Sequence, residues 1–137
     1  MATRFMLDTD ICILFRSGKS HLVAERMTKL TPGEATMSVV TYGELRVGAE
    51  KSLRRASQLR VLEEISRLIQ VRDLTPRVGA EYGAIRADLE RRGQIIGSND
   101  LWIAAHARSA KLTLVTNNED EFRRVPGLSV ENWAHPA

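Results

Sequence analysis

The chain has 137 residues, 43% of them hydrophobic and 27% charged, with only 4 Pro and 9 Gly, which fits one globular domain spanning 1–137 and excludes collagen-like, low-complexity and disordered polymers. Twenty basic against seventeen acidic residues leave a net charge of +3, and sixteen of the basic residues are Arg, whose planar fork suits phosphate. No window approaches the ~20 apolar residues that cross a bilayer, and Asp8 arrives before a signal-peptide core can form, so the expectation is a soluble, cytoplasmic protein with no membrane partner.

Phe5-Met6-Leu7 is a short apolar run that stops at Asp8. Apolar residues resume over Ile11–Phe15 with helical length until Arg16-Ser17-Gly18 breaks them, giving strand, acidic turn, helix. Cys12 lies in that run; as the single cysteine it excludes an intrachain disulfide, fits a reducing compartment and reads as core. His21 to Leu30 forms a second helix ended by Thr31-Pro32-Gly33, and Ala35-Thr36-Met37-Ser38 a short strand. Two helical stretches, one from Val40 through Ala49 and one from Leu53 through Ile69, form a hairpin. Ile69–Leu74 alternates like a strand, and Pro76 opens a helix that runs to Gly93. Gln94–Asn99 is a loop into a helix from Asp100 to Ala110. Leu112–Thr116 is the clearest strand, followed by a polar turn, a helical stretch at Asp120 to Arg123 and a last strand near Leu128-Ser129-Val130.

Strands alternating with helices indicate an α/β fold with a largely parallel sheet covered on both faces. Ligands in such folds sit at the carboxyl ends of strands. Asp8 follows the first strand, and Thr116-Asn117-Asn118 follows the clearest later one. Asp100 starts the helix that feeds that strand, and Glu44 lies on the helix after the second strand, able to point back to the same edge if that helix packs across it.

Converging carboxylates repel one another, and a divalent cation that also recruits water is the usual way to keep them ionised together. Hard oxygen ligands with no His or Cys cluster favour Mg²⁺ or Mn²⁺ over zinc. Such an ion supplies what hydrolysis of a phosphodiester requires. Residues 46–92 carry eleven basic and seven acidic residues, a candidate surface for the nucleic acid. Each acid also has a structural reading: Asp8 as a helix cap, Glu44 as a solvated helix residue, Asp100 as a first-turn acid, and Glu119-Asp120-Glu121 as a solvated run. His21, His106 and His135 lack metal-site spacing, and Tyr42, Tyr82 and Trp102 read as packing residues.

Four blocks carry a resemblance: Met6-Leu7-Asp8-Thr9-Asp10-Ile11-Cys12; Val40-Thr41-Tyr42-Gly43-Glu44-Leu45; Gly97-Ser98-Asn99-Asp100-Leu101-Trp102-Ile103-Ala104-Ala105-His106-Ala107; and Leu114-Val115-Thr116-Asn117-Asn118 with Glu121-Phe122. In this order and at these separations the chain resembles PIN-domain proteins, specifically VapC-type toxins of bacterial toxin–antitoxin pairs, from about residue 6 to Trp133. The resemblance implies a three-layer α/β/α fold with a central, mostly parallel sheet and a helical hairpin. It also implies a Mg²⁺- or Mn²⁺-dependent endoribonuclease that cuts transfer or ribosomal RNA and arrests translation. Asp8, Glu44 and Asp100 carry over as the acidic metal-site core, with Asn118 as a further metal ligand and Glu121 as a further catalytic acid. Many relatives have Asn at the place of Asp10, and the fourth acid common in the wider family falls here on Asn118, with Glu121 one helical turn later able to supply the missing charge. The implied partners are RNA, a second copy of the chain in a homodimer, and a VapB-type antitoxin that also binds operator DNA. The hairpin around residues 41–68 is the candidate antitoxin contact.

Two other readings stay open at this level. Asp8-Thr9-Asp10-Ile11 after a strand is also similar to the aspartyl-phosphate loop of haloacid-dehalogenase-like phosphatases, although Cys12 replaces the usual Thr or Val and Leu101 follows Asp100 where a paired acid is needed. A non-catalytic module that binds RNA or protein, its acids serving only as helix caps, would bind without cutting.

Overall fold

The computed structural model describes residues 2–136. In chain order the elements are β1 (Phe5–Leu7), α1 (Thr9–Ser17), α2 (His21–Thr28), β2 (Ala35–Ser38), α3 (Val39–Lys51), α4 (Arg55–Leu68), β3 (Gln70–Arg72), α5 (Pro76–Arg91), α6 (Ser98–Ser109), β4 (Thr113–Val115), α7 (Glu119–Phe122) and β5 (Val130–Glu131). All neighbouring strands pair in parallel, in the order β3-β2-β1-β4-β5. No helix among the described residues is long and apolar enough to cross a membrane.

Strand alternation divides the core into two layers. Phe5 and Leu7 of β1, with Met37 and Val115, pack against Ile11, Leu45, Leu62 and Ile65 from α1, α3 and α4. Met6 and Leu114 pack on the other face against Ile85, Leu89, Ile103 and Ala104 from α5 and α6. The hairpin expected over 41–68 is the α3–α4 pair, whose helices pack together. Tyr82 and Trp102 stack at 3.9 Å between ring centroids where α5 meets α6, the packing role read from sequence.

Caps fix the helix ends. Asp8 caps α1, and Gly18 closes it at φ 69°, a left-handed conformation that a residue without Cβ adopts freely. The Ser38 hydroxyl caps α3, and Thr75 with Pro76 opens α5.

Several element ends differ from the expectation: the strand expected over 112–116 keeps Thr113–Val115, the helix expected over 120–123 is Glu119–Phe122, and the helix expected from Leu53 starts at Arg55. The strand expected over 69–74 keeps only Gln70–Arg72, because Ile69 is wholly buried as the cap of α4 and Thr75 already caps α5. Helix α6 starts at Ser98 rather than Asp100. The last strand is Val130–Glu131, since Val130 pairs with Leu114 and Glu131 with Val115, whereas Leu128 packs on the α5–α6 layer.

Candidate active site

Asp8 is held by the sheet itself: its N–H donates to the Val115 carbonyl at 2.8 Å. The side chain is 5% exposed. One carboxylate oxygen accepts from the Thr9 N–H at 2.8 Å and the other from the Thr116 hydroxyl at 2.8 Å. These donors do not offset desolvation. Burial, then the charge of Asp10, pushes the Asp8 pKa up to about 7.

Asp10, two residues on in the first turn of α1, is raised by burial as well. One of its oxygens accepts from the Asn117 N–H at 3.0 Å. The other, Oδ1, is buried with no hydrogen-bond partner among the described residues. An orphaned carboxylate oxygen is expensive unless something else engages it.

Glu44 reaches the same place from α3. Its Oε1 accepts from the Thr9 hydroxyl at 2.6 Å, and its Oε2 from the Asn99 side-chain amide at 3.4 Å. Asp100 sits in the first turn of α6, and burial followed by the neighbouring Glu121 carboxylate pushes its pKa up to about 6, with smaller contributions from Glu44 and Asp10. Glu121, on α7, accepts from the Asn118 side-chain amide at 2.8 Å. The Asn118 N–H in turn donates to the Thr116 hydroxyl at 2.9 Å.

The structure therefore brings Asp8, Glu44, Asp100 and Glu121 to one edge of the sheet and adds Asp10. The Asn118 amide is turned onto Glu121, so its position is that of a residue orienting an acid. Sequence reasoning left Asp10 without a role and did not single out Thr9, Asn99 or Thr116. One signal was available for Asp10: α1 already has an acid at its cap, so a second in its first turn exceeds what the helix dipole needs. Among the histidines, His106 is 3% exposed, with Nδ1 2.8 Å from the Ser38 hydroxyl. It pins α6 to the start of α3, outside the acidic cluster. Cys12 is fully buried, and its thiol is pushed well above its usual range by burial and by Asp8 and Asp10; it is core.

The residues fit a hard divalent cation. Five oxygen-donor carboxyls gather there, one with an orphaned oxygen, and burial and like charge oppose the ionisation of Asp8 and Asp100. Among the described residues no three His, Cys, Asp or Glu side chains already close into a coordinating cluster. Asp8, Asp10, Glu44 and Glu121 are each turned onto a neutral donor instead, and Asp100 faces Glu121.

A parallel α/β sheet that collects carboxylates at its carboxyl edge defines the class, that of the metal-dependent nucleases of the three-layer α/β/α type. Residues 5–128 match the PIN domain, and the chain belongs to the PIN-domain family, in its VapC ribonuclease branch. It is 44% identical over 131 residues to the "tRNA(fMet)-specific endonuclease VapC" of Shigella flexneri, covering 96% of this chain and 98% of that protein. It is 39% identical over 130 residues to "Ribonuclease VapC2" of Haemophilus influenzae, covering 95% and 98%. Among solved structures, the DNA-bound VapBC of Salmonella typhimurium superposes with a TM-score of 0.90 at 40% identity, covering 96% of this chain and 98% of that one. VapBC-1 of nontypeable Haemophilus influenzae superposes with a TM-score of 0.89 at 34% identity, covering 98% and 100%. VapC nucleases with PIN domains are in general divalent-metal dependent. This membership sets aside the phosphatase reading.

Proposed function

We propose that the protein is the ribonuclease toxin of a VapBC pair, an endoribonuclease that hydrolyses phosphodiester bonds in cellular RNA and thereby inhibits translation. One observation carries this reading: five carboxyls from distant segments gather at the strand ends, and none of them forms an ion pair among the described residues. Asp8, Asp10, Glu44 and Asp100 would hold Mg²⁺ or Mn²⁺, with Glu121 supplying further negative charge. The ion supplies neutralisation of phosphate charge and activation of water. The chain's own groups do the positioning. Thr116 and the Thr9 N–H fix the two oxygens of Asp8, Asn99 and Thr9 hold Glu44, and Asn118 aims Glu121 at Asp100. Transfer RNA is the first substrate to test, since the Shigella relative is named for it.

The partner that follows from the VapBC neighbours is a VapB-type antitoxin, through which the pair reaches operator DNA, and the toxin itself is expected as a homodimer. Val47, Leu53 and Leu68 are exposed on the α3–α4 hairpin, which supports the hairpin as the antitoxin contact.

The test is cleavage of total RNA by purified protein, with 5′ ends mapped in Mg²⁺, Mn²⁺ and EDTA. Discrete cuts that vanish in EDTA and in Asp100→Asn are expected. Cutting that persists in EDTA would overturn the reading. So would salt-sensitive RNA binding without any product, the behaviour of a non-catalytic module.

A further inference from the structure

A second polar cavity, of about 460 Å³, lies beyond the end of α6 away from Asp100. Asp100 and Ala110 are separated by about 15 Å along that helix at 1.5 Å per residue. Arg72 from the end of β3, Arg77 from the first turn of α5 and Lys111 line it, with Thr75, Ser109 and a single acid, Asp73. None of the three cations forms an ion pair or a side-chain hydrogen bond among the described residues. His106 stands behind them, its pKa lowered by burial and by the charge of Arg72.

Lys111 adds an independent observation. It has φ 57°, the one positive value outside glycine among the described residues, whereas Gly18, Gly33, Gly93 and Gly127 take the others. Its N–H donates to the Arg108 carbonyl at 3.1 Å and the Leu112 N–H to the Ala107 carbonyl at 2.9 Å, the paired bonds that close a helix and ordinarily call for Gly. The backbone here favours Gly, yet the chain carries an ammonium at the rim of the cavity.

We infer that this cavity binds a backbone phosphate of the RNA substrate at a distance from the point of scission. Three unpaired cations, two of them forked guanidiniums, with the amino end of α5 alongside, make a site for a phosphodiester. The acidic pocket repels RNA until a cation is bound, so a separate basic contact gives the substrate a hold that does not depend on metal. This inference rests on the ribonuclease reading for its ligand.

The experiment is tRNA binding in EDTA, where cleavage plays no part, comparing wild type with the combined variant Arg72→Gln, Arg77→Gln, Lys111→Gly. The last substitution installs the residue the backbone favours, and Lys111→Gly alone is expected to melt no lower than wild type. Affinity of the combined variant is expected to fall about tenfold, with the slope of log affinity against log salt flatter by about one. A dinucleotide, whose single phosphodiester cannot lie in both places at once, should be cut by both proteins at one rate in Mn²⁺. Unchanged tRNA affinity and salt slope would overturn the inference, as would wild-type protein that binds no tRNA. Loss of inorganic-phosphate binding with full tRNA affinity retained would assign the cavity to a free phosphate and overturn it too. Failure of the binding result leaves EDTA-sensitive cleavage untouched, and absence of cleavage leaves the binding result standing.

Discussion

On the outer helical faces charges come in pairs; at the carboxyl edge of the sheet they do not. Arg46 with Glu50, Arg67 with Glu63, Arg86 with Glu90 and Arg123 with Glu119 join side chains one helical turn apart. Eleven ion pairs are present among the described residues, and none uses Asp8, Asp10, Glu44, Asp100 or Glu121. The exposed pairs are screened by water and contribute little to stability. At the sheet edge, by contrast, burial and like charge raise the pKa of Asp8 and of Asp100, and ionising them costs stability. A chain with sixteen Arg pairs its buried Glu34 with Arg4 but leaves Asp8, its most buried acid, without one, which supports the proposal that the edge acids serve a cation from solution.

The largest expected effect lies at those acids. Asp8→Asn and Asp100→Asn should each lower kcat for RNA cleavage about a hundredfold or more while circular dichroism stays unchanged; a rate near wild type would place the acids outside the chemistry. Removing a supporting donor should cost less. Thr116→Val frees one oxygen of Asp8, and about a 10- to 100-fold loss of metal affinity or activity is expected, read as a Mn²⁺ dependence of the rate shifted to higher concentration.

Stability against pH separates the two regions next. In EDTA the folded protein holds a proton on Asp8 up to a pH of about 7, while the unfolded chain releases it near 4. Over that window the folded state binds more protons, so stability falls as pH rises and the full penalty is present above 7. The melting temperature without metal should drop by several degrees from pH 5 to pH 8. Asp8→Asn should remove most of that drop, and Mn²⁺ should flatten the wild-type profile. A flat profile in EDTA would contradict the assigned cause. The smallest effect is at the surface: Arg67→Ala, which breaks an exposed pair, should shift the melting temperature by less than about 2 °C and leave RNA cleavage alone.

Much of this contrast was legible in the sequence, where the signal was local. Ala35–Ser38 is β2 to the residue, Pro76 opens α5, and Gly18 closes α1, because strand runs, caps and helix stops are written in neighbouring residues. Asp8, Glu44 and Asp100 were placed together by the rule that sites form at strand ends, and Glu121 joined them only through the family resemblance. Asp10 was not, because its partner is the backbone of Asn117, 107 positions away, and no period or motif announces a contact at that range. The turn after α6 was hidden for a different reason: Lys111 occupies the place where Gly would have marked it. The shift of the last strand to Val130–Glu131 has a third cause, since apolar Leu128 was needed by the α5–α6 layer rather than by the sheet.

Calorimetric titration of Mn²⁺ into the purified protein tests most directly whether the gathered acids serve a cation. Saturable uptake is predicted for wild type, weakened severely in Asp8→Asn and in Asp100→Asn and unchanged in Arg67→Ala. Uptake that is absent, or equal in all four proteins, would contradict the account.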